Sequence, residues 1–353
     1  MALDRLNELS FELYLRKEGK KIDAFLAEFF AGGQDGPGGT SAGSAHGDML
    51  LYLYTPLAEF SANSGKRHRP IICMLACEAV GGDPTLALRS ATAIEHFHTA
   101  ALIHDDIQDG AETRRGEPCF HVKEGVALAI NAGDLALSLV TGNVVTDPAL
   151  DDATKITVLT ELVNMTTRTI EGQALDIGWA RDNRFDLAVD DYLIMARHKT
   201  AFYSGAIPLA VGAIIGGASH EQIEILREFG LAAGLAFQIQ DDLINLTGSD
   251  RSKDFRIDIT EGKRTLMVVH ALNNSGFEAR ERLLDILRSH TTDQTVLEEA
   301  ASIMREAGSI DFASDYALGL IEDAKEQLSA ALEPNRATKL LLSMADFFVK
   351  RAQ

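Results

Sequence analysis

Apolar residues in this chain return at intervals of three and four, as in "MLLYLYTPLAEF", "TVLTELVNMTTRTI" and "QIEILREFGLAAGLAFQIQ". That spacing gathers them on one face of a helix, whereas a half-buried strand would alternate with period two. Period-two alternation is scarce, and only 8 prolines interrupt 353 residues. The pattern predicts an all-α protein of roughly a dozen helices of ordinary length. With 46% apolar residues the chain can bury a sizeable core. Nothing in its helical character divides it, so residues 1–353 are expected to form one domain, a single large helical bundle.

Two stretches break the pattern. "GGQDGPGGTSAGSAHGD", Gly32 to Asp48, has seven glycines and no periodicity, so a flexible loop is expected over 32–48. "TGSDRSKDFRIDITEGKRT", Thr247 to Thr265, is rich in charge rather than glycine, which is unusual for a passive linker. No fixed-period repeat or heptad run is present.

Lys plus Arg number 33 and Asp plus Glu 52, a net charge of −19. That balance excludes the basic footprint of a nucleic-acid binder and a polybasic membrane surface. Cys73, Cys77 and Cys119 have no metal-binding spacing with histidine and form no even framework, so they read as reduced core thiols of a cytoplasmic protein. The N-terminal "MALDRLNELSFELYLRKEGKK" lacks an apolar h-region. No run of about 18 residues free of charge is found, so no membrane span is expected.

Against this background "LIHDDIQDGAETRRG", Leu102 to Gly116, gathers three aspartates after an apolar run and follows them with two arginines. On a helix Asp105 and Asp109 share a face about 6 Å apart, with Asp106 beside them. Carboxylates crowded in partial burial resist ionisation unless a cation joins them. A second cluster, "FQIQDDLIN", sets Asp241 and Asp242 after another apolar helical run, with Asn245 four residues beyond Asp241. Oxygen-only ligand sets select hard cations, and an open site shared with phosphate oxygens suits magnesium.

The ordered pair of motifs resembles the polyprenyl synthetases, the trans-isoprenyl diphosphate synthases, over about Lys66 to Leu272. In that family two aspartate-rich motifs face one another across a central cavity of an all-helical fold. Further members of the pattern stand in order: "GKRHRP" with Lys66 and Arg69, His98 in "HTAALIHDD", Arg114 and Arg115 in "TRRG", and Lys199 and Thr200 in "RHKTAF". Lys253, Asp258 and Lys263 follow in the second polar break.

The resemblance implies a reaction joining isopentenyl diphosphate to an allylic diphosphate, through an allylic cation and loss of a proton to the departing diphosphate. It also implies about three magnesium ions, which neutralise the leaving group. Asp105 and Asp109 would hold two of them and Asp241 a third, with Asp242 in the same metal set. Asp106, Asp242, Asn245 and Asp258 would orient metal-bound water. Arg114, Lys199 and Lys263 would grip the allylic diphosphate, assisted by Thr200, Gln238 and Lys253. Asp105, Asp106, Asp109, Asp241 and Lys199 are the residues on which catalysis would rest. The second diphosphate must bind without being ionised, so it calls for direct cations, and Lys66, Arg69, His98 and Arg115 fit that need. The family is usually homodimeric. One departure is Asn245, where many members carry a third aspartate.

In the family the residues four and five before the first aspartate form the cavity floor. Here they are Ala101 and Ala100, which leave it open, and Phe97 lies one turn (about 5.4 Å) further down. A floor at Phe97 implies geranylgeranyl diphosphate as product, with farnesyl or longer-chain products as alternatives. Alternatively the two alanines serve close helix packing. Rival readings are a class I terpene cyclase, whose second metal motif would place Glu where Lys253 stands, and a non-catalytic subunit of a heteromeric synthase, which would tend to lose metal ligands. A metal-dependent phosphohydrolase would need histidines that His68, His96 and His98 do not arrange.

Overall fold

The three-and-four spacing is realised as helices almost throughout the computed structural model, which describes residues 10–31, 44–63, 65–248 and 256–349. The chain is all-α apart from one two-stranded hairpin among the described residues. Its contacts gather into two compact units, each assembled from separate stretches of sequence. The first comprises Met1–Val163, Pro208–Ile223 and Asn335–Leu341. The second comprises Asn164–Ile207, Glu224–Pro334 and Leu342–Gln353.

In the first unit α1 (Phe11–Ala31) precedes α2 (Ser44–Met49), a π-helical turn (Leu50–Tyr54) and α3 (Thr55–Ala62), whose second residue is proline, a position that lacks an intrahelical N–H partner anyway. Residues 44–48, expected as part of the flexible loop, are therefore helical; residues 32–43 lie outside the described residues. The glycine composition that suggested a loop belongs mostly to those earlier positions, and Gly47 alone does not break a turn.

Then come α4 (His68–Ala79), a 3₁₀ turn (Pro84–Ala87) and α5 (Leu88–Gln108). The hairpin pairs β1 (Thr113–Arg114) with β2 (Glu117–Pro118). After it stand α6 (Phe120–Glu124) and α7 (Val126–Val145). α5 is buried on nearly all sides, so it shows no amphipathic stripe. It packs along α7 through Ala100, Ala129, Ala132 and Ala136, with Leu57, Ile103 and Phe120 closing the cluster. Small side chains allow this approach, and at Gly133 an added Cβ would run into the His104 ring.

α7 is long and apolar enough to cross a membrane by length and composition, although Asp134 interrupts it. One face of it packs against α5. The three cysteines are free and buried, as expected.

α8 (Asp152–Arg181) enters the second unit at Asn164. There α9 (Val189–Ala196) continues into a ten-residue π-helix (Arg197–Ala206), followed by α10 (Ile207–Ile215) and α11 (His220–Thr247). The short α12 (Ile257–Thr260) leads to α13 (Leu266–Asn274), α14 (Phe277–Ser289), α15 (Gln294–Glu306), α16 (Ser309–Ala331) and α17 (Arg336–Val349). α15 starts at an Asp293 cap whose side chain accepts the Thr295 amide at 2.8 Å. α14 buries Leu283, Leu284, Ile286 and Leu287 against its neighbours, each such side chain contributing about 1.5–3 kcal/mol. Gly205 of the π-helix meets Gly230 of α11 backbone to backbone, and any side chain there would collide.

Candidate active site

α5 ends in a Schellman turn. Gly110 takes the left-handed conformation (φ 62°), its amide donates to Ile107 O at 3.3 Å, and Ala111 N donates to Asp106 O at 3.0 Å. Asp105 and Asp109 thus come to the helix end, half-buried and exposed respectively, while Asp106 is buried. The chain then reverses through a two-residue turn, Arg115–Gly116, with φ of 57° and 84°. Both angles are positive, as a tight hairpin turn of this hand requires.

The turn sends its two arginines apart. Arg114 Nε donates to Asp106 Oδ1 at 2.7 Å, and its Nη2 lies 3.7 Å from Asp105 Oδ2. Arg115 instead donates to Asn63 O at 2.9 Å and lies over Gly65, where an added Cβ would sit 2.7 Å from the guanidinium. Gly65 (φ 111°) therefore could be no other residue without a shift. Asp106 Oδ2 is buried without a hydrogen-bond partner.

Arg115 belongs to a crowd of cations. Burial and then the charges of Arg69, His68, Arg115 and Arg114 push the pKa of His98 well below its ordinary value. Burial, Arg114, Arg67 and Arg69 likewise lower that of Arg115, with Glu95 opposing. Arg69 and His98 are buried and Lys66 is exposed. Such mutual repulsion is relieved by an anion. A cavity of ≈ 320 Å³ opens beside Arg114 and Arg115, with Phe60, Leu102 and Phe120 in its wall.

Beside this crowd stands Arg67, a buried cation that sequence reasoning passed over. It is 3% exposed and left-handed (φ 55°) at the start of α4. It donates to Asp23 Oδ1 at 2.7 Å, to Glu95 Oε1 at 2.6 Å and to Ser61 O at 2.5 Å. Its signal was the run of cations in "GKRHRP" before a strongly apolar stretch, where only some can reach solvent. Of the expected floor residues, Ala100 is fully buried in the α5–α7 cluster. Ala101 is half-buried and Phe97 is 3% exposed.

In the second unit the π-helix carries Lys199 and Thr200. α8 approaches the backbone of Lys199 at Gly172, where an added Cβ would clash with the Lys199 amide. Lys199 Nζ donates to Asp176 Oδ2 at 2.5 Å. Thr200 Oγ1 donates to Gln238 Oε1 at 2.6 Å, and Gln238 Nε2 donates to Asp242 Oδ1 at 2.7 Å. Tyr192 Oη donates to Asp242 Oδ2 at 2.9 Å, so both oxygens of that carboxylate already accept protein bonds. Asp241 is exposed on α11.

Asn245 ties the following chain back: its Oδ1 accepts the Asp258 amide at 3.3 Å and its carbonyl the Arg256 amide at 2.9 Å. α12 closes with a second Schellman turn at Gly262, in which Lys263 N donates to Asp258 O at 2.8 Å. Lys263 Nζ lies 2.6 Å from Glu261 and 3.8 Å from Asp258. Burial raises the pKa of Asp258 to about 6, with Glu261 and Asp176 adding and Lys263 and Lys199 opposing. Burial and the charge of Asp258 raise that of Asp242 well above the carboxylate range, against the bonds from Tyr192 and Gln238. Lys253 lies outside the described residues. Asp176 and Tyr192 were not anticipated.

Among the described residues no group of three or more His, Cys, Asp or Glu side chains is arranged to hold a metal ion. The donors fit a hard cation chemically nonetheless. They are oxygens only, Asp106 Oδ2 lacks a partner, and Asp105, Asp109 and Asp241 each reach solvent. Each acidic turn on its own offers a partial ligand set.

Each unit of this all-helical scaffold thus carries an acidic helix end, and the first adds a crowd of cations. The chain belongs to the polyprenyl synthetase family, whose model matches residues 51–304. It is 41% identical over 289 residues to a short chain isoprenyl diphosphate synthase of Methanothermobacter thermautotrophicus, covering 81% of this chain and 86% of that one. It is 36% identical over 317 residues to the geranylgeranyl diphosphate synthase of Methanosarcina mazei (86% and 93% covered). The crystal structure of geranylgeranyl pyrophosphate synthetase from Pyrococcus horikoshii superposes with a TM-score of 0.86 at 32% identity over 97% of this chain and 98% of that one.

Proposed function

We propose that this protein condenses isopentenyl diphosphate head-to-tail with an allylic diphosphate and releases geranylgeranyl diphosphate. Its membership of the polyprenyl synthetase family supports an isoprenyl diphosphate synthase, a transferase. The observation that carries the reading further is the divergence of Arg114 and Arg115. One turns to the aspartates of α5, the other to the cations at the start of α4.

That divergence suits two diphosphates with opposite fates. Lys66, Arg69, His98 and Arg115 bind the isopentenyl diphosphate with direct cations, so nothing activates its departure. Arg114, Lys199 and Lys263 grip the allylic diphosphate, with Thr200, Gln238 and Lys253 assisting. Magnesium, when bound, neutralises the charge that develops on the departing diphosphate. Asp105, Asp109 and Asp241 are the residues that would hold it. Asp106 orients Arg114, and Asn245 and Asp258 fix the chain beside the second motif. Apolar helix faces exclude the water that would trap an allylic cation.

Ala100, Ala101 and Phe97 support a floor long enough for the geranylgeranyl chain, with Ala100 also packed on α7. Exposed Val126, Ile130 and Val145 on α7 and exposed Ile156, Val163, Ile170 and Ile177 on α8, a seven-residue spacing missed in the sequence, support a homodimer through these helices. Light scattering checks it: a monomer at micromolar concentration rejects the dimer. The buried, unbridged cysteines support a cytoplasmic location.

The deciding experiment supplies isopentenyl diphosphate, magnesium and dimethylallyl, geranyl or farnesyl diphosphate, and identifies products by mass spectrometry. A linear geranylgeranyl diphosphate is expected. A cyclic hydrocarbon, free phosphate alone or no product would each reject the reading. Ala101→Phe is expected to shift the product to farnesyl diphosphate while turnover persists; an unchanged product length removes the floor.

A further inference from the structure

We infer that Tyr192 is a positioning residue for the second acidic motif: its hydroxyl fixes Asp242 and thereby sets Lys199 and Asp241 at the spacing one allylic diphosphate requires. This rests on the proposed function above. Tyr192 is 1% exposed in α9, and its hydroxyl donates to Asp242 Oδ2 at 2.9 Å. Seven residues further along the same helical run stands Lys199, followed by Thr200, whose hydroxyl donates to Gln238. The run carrying the diphosphate cation is therefore tied to α11 at two points, Tyr192 to Asp242 and Thr200 to Gln238.

The two ties are one network. Gln238 accepts from Thr200 through its oxygen and donates to Asp242 through its nitrogen, so its amide has a single orientation that satisfies both. Asp242 accepts at one oxygen from α11 and at the other from α9, so its carboxylate cannot turn without losing a bond. Asp241 is its immediate neighbour on α11. If the tyrosine bond is removed, one tie remains, and the run pivots about Thr200. A buried tyrosine present only to fill space would leave the ligand spacing unchanged when its hydroxyl is lost.

The test is calorimetric binding of geranyl S-thiolodiphosphate in the presence of magnesium, which needs no turnover, with product formation measured alongside. Tyr192→Phe keeps the ring and is expected to weaken that binding about tenfold, the loss of one buried hydrogen bond. It should raise KM for the allylic substrate to match and leave KM for isopentenyl diphosphate within twofold. In an Asp242→Ala background, which offers the tyrosine no acceptor, the same change is expected to have no further effect. Melting temperatures of both variants separate weaker binding from lost fold. Wild-type affinity in a folded Tyr192→Phe, or equal losses for the two substrates, overturns the positioning role. Additive losses in the double variant overturn the route through Asp242. If the wild type turns over but Tyr192→Phe binds like it, this inference alone fails; if the wild type neither binds nor turns over, the proposed function fails with it.

Discussion

The two acidic helix ends are built alike and balanced differently. Each closes in a Schellman turn whose accepting carbonyl belongs to an aspartate, Asp106 on α5 and Asp258 on α12, and each has a cation just beyond. On α5 that cation, Arg114, bonds directly to the buried Asp106 at 2.7 Å. On α12 Lys263 stays 3.8 Å from Asp258 and spends its closest contact on Glu261. Half-buried Asp258 and buried Asp242 are left as carboxylates with raised pKa values. The first end therefore holds its buried carboxylate in a direct ion pair, whereas the second leaves its carboxylates short of positive charge. Sensitivity to pH and to added cations should concentrate in the second unit.

Losing a solvent-reaching carboxylate from the first end, or from α11 beside Asp242, should have the largest effect. Asp105→Asn and Asp241→Asn are each expected to lower kcat about 10²–10³-fold, measured in steady state at saturating substrate. Excess magnesium should rescue Asp241→Asn less than Asp105→Asn, because the second end lacks a bonded arginine. Equal rescue would erase the contrast.

Next in size is stability. Arg114→Met strands Asp106 in the core and should cost about 2–3 kcal/mol in urea unfolding, below the value for a fully buried pair because Arg114 is partly exposed. Lys263→Met should cost much less. A reversed ranking would mean that the first end is not held by its arginine.

The smallest effect is a slope. Asp258 rises from 3.8 unfolded to about 6 folded, so between those values the folded chain binds more protons than the unfolded one. Its contribution to stability is then lost as pH rises from about 4 to 6, and the cost persists above 6. Asp258→Asn should flatten the melting temperature across that window, whereas Asp106→Asn should not. A slope that survives Asp258→Asn would place the excess charge elsewhere.

The acidic motifs were legible in the sequence for a physical reason: their residues are local. Asp105 and Asp109, or Asp241 and Asn245, are four residues apart, and helical spacing alone puts them on one face. The organisers are not local. Arg67 reaches Asp23 and Glu95, Tyr192 reaches Asp242 fifty residues away, and Lys199 reaches Asp176. No periodicity announces such pairings. The hairpin was also hidden, because two residues per strand are too few to alternate. Ala100 was ambiguous because small residues suit both a cavity wall and a helix crossing, and its packing against α7 is visible only in the fold.

The wide helical segment from Arg197 to Ala206 has a consequence for variation in length. Its backbone is wound out of step with the α-helix before it, so the bearing of Lys199 relative to Tyr192 depends on how many residues the widened stretch contains. Each residue of an α-helix turns the chain by about 100°. Exchanging a side chain there disturbs one contact. Removing or adding a single residue would swing the lysine around the axis and away from its neighbours, so this segment should accept spelling changes far more readily than a change in count.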